Sequence, residues 1–203
     1  MLISKKSNRR VFLAGISAAV AITAMPSAGF ALTKAAAEKL INNLSSDIFT
    51  IINSGKSEAA MYRDFDRVFA KYAAVDAIAR TCLGPPWRSA NASQKKAYTA
   101  AFRAYVSRKY GKRFREFIGS EISVTSARAV KSGVLVKSIV KFKGSAPFTV
   151  DWQVFERDGK QQMFDLYIEG ISMIKTEREE IGSMLDHSSG KIDKLVARLN
   201  RAG

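Results

Sequence analysis

The sequence predicts an α+β domain, a four-stranded antiparallel meander sheet with helices packed on one face. Three observations lead there. Apolar residues recur every three or four positions as far as Phe117, at every second position from Ile122 to Ile168, and at helical spacing again near the C-terminus. Short turn signals, Lys131-Ser132-Gly133, Lys143-Gly144-Ser145 and Arg157-Asp158-Gly159, separate the alternating segments, as between consecutive antiparallel strands. One phase of those segments is almost wholly apolar while the other carries Lys137, Lys141, Asp151 and Gln153, so one face of the sheet is covered and the other meets water.

Residues 1–31 read as a cleavable export signal, which leaves 32–203 as a single domain. Lys5, Lys6, Arg9 and Arg10 precede a weakly apolar run, a breaking Pro26 and the small-x-small end Gly29-Phe30-Ala31. The run is too short and too weakly apolar for a membrane span. Arg9-Arg10 followed by Val11-Phe12-Leu13 is similar to the twin-arginine type of signal, with the general secretory route as the alternative, because Asn8 stands where that type favours Ser or Thr. The expected location is therefore the periplasm.

Helices come next. Leu40, Ile41, Leu44, Ile48, Phe49 and Ile52 form the stripe of a helix over 33–53, stopped by Ser54-Gly55. Met61, Phe65, Val68, Phe69 and Tyr72 mark a second over 57–71, and a third spans 77–83 before the Gly84-Pro85-Pro86 turn and Trp87. With Ser93 as its N-cap, a long helix over 93–118 turns Tyr98, Phe102, Tyr105, Val106, Tyr110, Phe114 and Phe117 inward. Its other face holds Lys95, Lys96, Arg103, Arg108, Lys109, Lys112, Arg113 and Arg115, either a solvated face or a surface for head groups or a partner.

Four strands follow, with Ile122, Val124 and Ser126 in one phase of the first, Val134, Val136, Val140 and Phe142 in the second, Phe148, Val150, Trp152 and Val154 in the third, and Phe164, Leu166 and Ile168 in the fourth. Gly170 marks a bend after the last strand, and Asp165 and Glu169 on its other phase read as solvated or salt-bridged carboxylates. Ile181, Met184 and Leu185, then Ile192, Leu195, Val196 and Leu199, define two closing helices around Ser188-Ser189-Gly190.

Charge and chemistry narrow the function classes. The net charge is +15, and only four of the positive residues lie in the leader, so the remainder is strongly basic. An exported basic protein meets anionic lipid head groups, with no nucleic acid to bind. Cys82 is the lone cysteine and His187 the lone histidine, so neither a disulfide nor a zinc site can be built, and Cys82 reads as a buried, inert thiol. No nucleophile elbow, phosphate loop or metal spacing occurs, so catalytic residues, metals and cofactors are not expected. A carboxylate-based enzyme with an apolar substrate and a protein-binding adaptor using the basic helix remain as alternatives.

The string Phe164-Asp165-Leu166-Tyr167-Ile168-Glu169-Gly170-Ile171-Ser172-Met173, with Arg178 and Gly190-Lys191-Ile192-Asp193-Lys194-Leu195, resembles the C-terminal half of the MlaC-like, toluene-tolerance family of periplasmic phospholipid-binding proteins. The run Leu83-Gly84, Trp87, Ser93-Gln94 is similar to the same family, and the likeness extends from about Leu40 to Leu199. Gln162 or Met163 stands where the family commonly has Trp, and Ile181 near a common Phe. The resemblance implies a monomeric carrier that holds phospholipid tails in an apolar cavity between helices and sheet. It also implies partners, an outer-membrane lipid complex and an inner-membrane ABC transporter with a lipid-binding ring, and transient contact with membrane surfaces. A neighbouring branch of the family is associated with hopanoid lipids.

Apolar stripes at helical and strand spacing describe ordinary core equally well. Taking the cavity from the resemblance, the inward phase of each element assigns its lining to Phe102, Tyr105, Phe114, Val136, Val140, Phe142, Val150, Trp152, Val154, Phe164, Leu166, Ile168 and Ile171. Arg108, Lys109, Lys112, Arg113 and Arg115 are the candidates for head-group or partner contact.

Overall fold

Thr33 opens the first helix by accepting the Ala36 amide on its hydroxyl at 3.1 Å, which satisfies one of the free N–H groups of the first turn. The computed structural model describes residues 32–142, 144 and 146–203, with the side chains of Phe114 and Arg115 outside that description. The expected leader lies outside it too. The helices before the sheet are α1 (Lys34–Ile52), α2 (Glu58–Tyr72), α3 (Val75–Leu83), the single turn α4 (Pro86–Ser89) and α5 (Ala92–Gly111).

Helix α5 departs from expectation at both ends. Its N-cap is Asn91, not Ser93: the Asn91 side chain accepts the Gln94 amide at 2.9 Å while Gln94 accepts the Asn91 amide at 3.2 Å, a reciprocal capping box. It stops at Gly111, and Phe114–Phe117 form a separate 3-10 turn. At Gly111 the helix runs against the Tyr62 ring of α2, which a Cβ there would meet at 2.5 Å.

The sheet has five strands rather than four, in the sequential order β1 (Glu121–Val130), β2 (Gly133–Lys141), β3 (Phe148–Arg157), β4 (Lys160–Ile168) and β5 (Ile171–Ser172), all antiparallel. The extra strand was hidden because it is only two residues long. It folds back from β4 through Glu169-Gly170, both at positive φ, as are Asp158-Gly159 between β3 and β4. Gly133, opening β2, lies so close to β3 that a Cβ would sit 2.1 Å from the Val154 carbonyl oxygen.

Two bulges reset the phase of the outer strands. In β1 the register slips between Val124 and Ser126, so Ala127, not Ser126, faces Val136. In β4 Met163 pairs with Val154 and Asp165 with Gln153, leaving Phe164 as the extra residue. One inserted residue turns the side chains beyond it to the other face.

Helices α6 (Met173–Asp186) and α7 (Ile192–Leu199) complete the chain. Helix α1 lies against β1, β2 and β4, whereas α5 packs on α2, α3 and α7, and α6 on α3 and β4. The result is two principal apolar cores, with a small third cluster of Ile51, Ile52 and Met61 where α1 meets α2. One lies between α1 and the inner face of the sheet, and the other among α3, α5, α6 and α7. Met163 touches both.

Candidate functional site

The larger part of the expected lining meets on the inner sheet face. Cross-strand pairing places Val136 opposite Trp152, Ser138 opposite Val150, and Val140 opposite Phe148, with Leu166 and Ile168 across from Trp152 and Val150. Val136, Val140, Val150, Trp152 and Val154 are buried there, with Phe142 and Leu166 half-buried at the margin. Ala37, Ile41 and Leu44 of α1 cover them. Those three, with Val134, Ser138 and Met163, belong to the same packed face without having been among the expected lining, although the spacing of Ile41 and Leu44 already placed them on one stripe.

Among the described residues the inner face has one polar anchor. Ser138, fully buried, accepts the Trp152 indole N–H at 2.8 Å and donates to the Val150 carbonyl at 3.0 Å. Both polar groups are satisfied within the sheet, so the surface offered to α1 stays apolar. Among the described residues no side-chain hydrogen bond or ion pair joins α1 to a strand. The polar ties of α1 run to α2 instead, where Asp47 accepts from Lys71 at 2.9 Å and from the Tyr72 hydroxyl at 2.8 Å. The Lys71 contact, with that of Tyr72, holds the Asp47 carboxyl below its ordinary value.

The rest of the expected lining goes elsewhere. Phe102 and Tyr105 are buried in the helical core, not against the sheet. Phe164, displaced by the bulge, packs edge-on to Phe155 at 5.7 Å and against the helical core, and Met163 takes its inward place. Ile171, in the short β5, is 64% exposed. The side chain of Phe114 is outside the described residues. Phe142 stacks with Phe148 at 5.7 Å and meets Phe117 at 5.2 Å, making an aromatic group at one end of the sheet.

The basic face of α5 is largely engaged within the protein. Arg108 donates to the Leu199 and Ala202 carbonyls at 2.6–2.9 Å, capping the end of α7, and Lys112 donates to the Gly203 carbonyl at 2.5 Å. Lys109 bridges Glu177 at 2.7 Å and Glu180, while Tyr110 donates to Glu177 at 2.6 Å and Tyr105 to Glu180 at 2.7 Å. Burial opposes the Lys109 charge, but the two carboxylates outweigh it and raise its pKa. Burial, reinforced by the same carboxylates, pushes the Tyr105 and Tyr110 phenols up. Of the five candidates for outside contact, Arg113 alone is seen in a purely surface pair, with Glu116 at 3.2 Å. The Arg115 side chain is outside the described residues.

Asp165 is also corrected. It is buried, accepting from the Ser172 hydroxyl at 2.6 Å and the Ile174 amide at 3.1 Å, so it fastens the start of α6 to β4. Glu169 accepts from Thr149 at the sheet end, through both the amide and the hydroxyl, and these bonds hold its carboxyl below the ordinary value.

Among the clefts on the surface, two bear on the site. One, of about 360 Å³, lies between α1 and the β3–β4 turn and is lined by Lys39, Leu40, Asn43, Tyr72 and Gln161, with Leu40 and Tyr72 belonging to the rim of the sheet-side core. The other, of about 290 Å³, lies among α3, α4 and α6. Neither is lined by a residue expected to form the cavity. In this state the inner sheet face is packed against α1.

Fold and site together define an α+β domain whose principal sheet face is sealed by a helix held there through apolar contact. The chain belongs to the MlaC protein family, whose sequence profile matches residues 42–201. It is similar in fold to a solved structure described as the phospholipid-binding protein from Ralstonia solanacearum in complex with a phospholipid, with 18% sequence identity and a TM-score of 0.71 over 81% of this chain and 95% of that one. Among the described residues, no helix is long and apolar enough to cross a membrane.

Proposed function

We propose that this protein is an exported, monomeric carrier that holds the acyl tails of a phospholipid between α1 and the inner face of its sheet. Membership of the MlaC family and likeness to a fold solved with phospholipid support the ligand class. The observation that carries the mode of binding is the apolar seam itself. Val136, Val140, Val150, Trp152 and Val154 face Ala37, Ile41 and Leu44 without a directional bond between α1 and strands among the described residues.

Such a seam can part at low cost when acyl chains enter. Roughly 25 cal/mol per Å² of apolar burial is lost as α1 lifts and regained against the tails. The tails bring the larger driving force, since two chains of about sixteen carbons represent on the order of 20 kcal/mol of burial. The cleft beside Leu40 and Tyr72 reaches the rim of this core and is where separation would begin. Because α1 and α2 are tied through Asp47, they would move as a pair.

The carrier would collect and deliver lipid at an outer-membrane complex and an inner-membrane ABC transporter, the leader of residues 1–31 directing it to the periplasm between them. The surplus of positive charge favours encounter with anionic surfaces, at about 1 kcal/mol per basic residue within a Debye length of about 8–10 Å. Mass spectrometry of organic extracts from protein purified from periplasm without detergent tests the reading. Phospholipid is expected at close to one per protein; lipid-free protein would refute it. Replacing Arg9 and Arg10 by Lys should leave the chain in the cytoplasm if the leader is of the twin-arginine type, and unaltered export would assign the general secretory route.

A further inference from the structure

The second cleft lies away from the sheet and has a different chemistry. Its walls are Arg80 and Thr81 of α3, Gly84 and Pro85 of the turn, Trp87 and Arg88 of α4, and Arg178 of α6. Three exposed arginines from three separate helices therefore line one concavity of about 290 Å³. None of the three has a side-chain hydrogen bond or an ion pair among the described residues. Some cations elsewhere are paired, Arg103 with Asp66 at 2.8 Å, Lys56 with Asp64 at 2.6 Å and Lys71 with Asp47 at 2.9 Å, whereas the cleft gathers three that are not.

The backbone is shaped to admit Arg178. Gly84 sits at φ +69, and a Cβ there would come within 3.3 Å of the Arg178 Nη2, so the guanidinium lies against the turn where a larger residue would crowd it. Trp87 forms a flat wall, steadied edge-on by Tyr98 at 6.4 Å, with the Lys95 ammonium of α5 5.7 Å from its ring. Like charges gathered without counter-charge repel, and the arrangement is relieved by an anion whose oxygens can accept from several guanidinium forks at once.

We propose that this cleft is a binding site for a phosphate group, with Arg80, Arg88 and Arg178 as its donors and Trp87 as its wall. Tetrahedral phosphate oxygens suit three forks approaching from different helices better than one planar carboxylate does, because each fork can reach a different oxygen pair. The group could come from free phosphate or from the phosphodiester of a lipid head group. The site makes no use of the seam beneath α1.

The test titrates the full chain at low salt with inorganic phosphate in one arm and with glycerophosphoglycerol, a tail-free head-group diester, in the other. Two-dimensional amide spectra and the Trp87 indole N–H report binding. Saturable shifts centred on Thr81, Gly84 and Trp87 are expected. Arg88→Gln and Arg178→Gln should each weaken binding about tenfold, as losing one charge-assisted contact does. Arg128→Gln, exposed on β1 and outside the cleft, should leave it unchanged. Tighter binding of inorganic phosphate would assign free phosphate as the source, and equal or tighter binding of the diester would assign the head group. Absence of saturable shifts in both arms overturns the site, as does binding that survives Arg80→Gln and Arg88→Gln in variants whose spectra remain folded. Neither probe carries acyl tails, so the outcome is independent of whether the carrier reading holds.

Discussion

The two principal cores of this protein are both apolar and are fastened in opposite ways. The helical core is crossed by directional bonds: Lys109 to Glu177 and Glu180, Tyr105 to Glu180, Tyr110 to Glu177, and Asp165 to the start of α6. The sheet-side core keeps its single anchor, Ser138 with Trp152, inside the sheet and meets α1 through hydrocarbon alone. Bonds of the first kind have a preferred geometry and a steep penalty when one partner is removed, whereas dispersion and apolar burial are non-directional. On the proposed reading, the difference divides the molecule into a fixed scaffold and a face that parts from its cover.

The comparison breaks most visibly when a charge is placed at the seam. Val154→Asp puts an unpaired carboxylate at a site with no exposure, a change expected to cost several kcal/mol and to abolish phospholipid content. Lipid analysis and near-ultraviolet circular dichroism on the same sample check it, the latter reporting whether the tyrosine-rich helical core remains. Next in size, Lys109→Met strands Glu177, which is 4% exposed, and should destabilise the protein by about 3–5 kcal/mol in urea unfolding. Ile41→Ala should cost less, about 2–4 kcal/mol, and should make the seam easier to open, seen as faster lipid exchange. Ser138→Ala removes the acceptor of the Trp152 indole, for about 1–3 kcal/mol, and lowers the midpoint of thermal unfolding.

A pH series sharpens the same contrast. The Lys109 pKa is raised in the fold, so its contribution is complete below the unfolded lysine value of about 10.4 and is lost as pH climbs through the folded one. Burial opposes ionisation of Glu180, but its bonds to Lys109 and Tyr105 prevail and depress its pKa, so that contribution is complete above about 4.3 and is lost as pH falls through the depressed value. Stability should be level between about pH 5 and 8; above about 8.5 the Cys82 thiol, and above about 10 the Tyr105 and Tyr110 phenols, all held protonated by burial, favour the unfolded chain.

Much of this plan was legible in the chain. Period-two alternation gave β2 and β3 in correct phase because both are central strands with one covered face, and the turn glycines marked their ends. The outer strands misled where a bulge intervened. Alternation counts residues, and at Phe164 the chain holds one more than its partner, so Phe164 and Met163 exchange roles. The division into two cores was not legible either. Phe102 and Tyr105 look the same in a helical stripe whether the stripe faces a sheet or other helices. The basic face of α5 read as surface because the groups that occupy Arg108 and Lys109 lie more than sixty positions away, at Leu199, Ala202, Glu177 and Glu180.

Cys82 makes a direct test of the scaffold and the seam practical. Burial pushes its thiol up to about 12, so labels aimed at introduced cysteines should pass it by. Spin labels at Asn42 on α1 and Lys137 on the open sheet face span the seam, and labels at Lys96 on α5 and Lys194 on α7 span the helical core; all four positions are exposed. Pulsed electron spin distances, measured before and after loading with phospholipid, are predicted to lengthen by several ångströms across the seam and to stay unchanged across the helical core. Loaded protein in which the distance across the seam does not change would contradict the account.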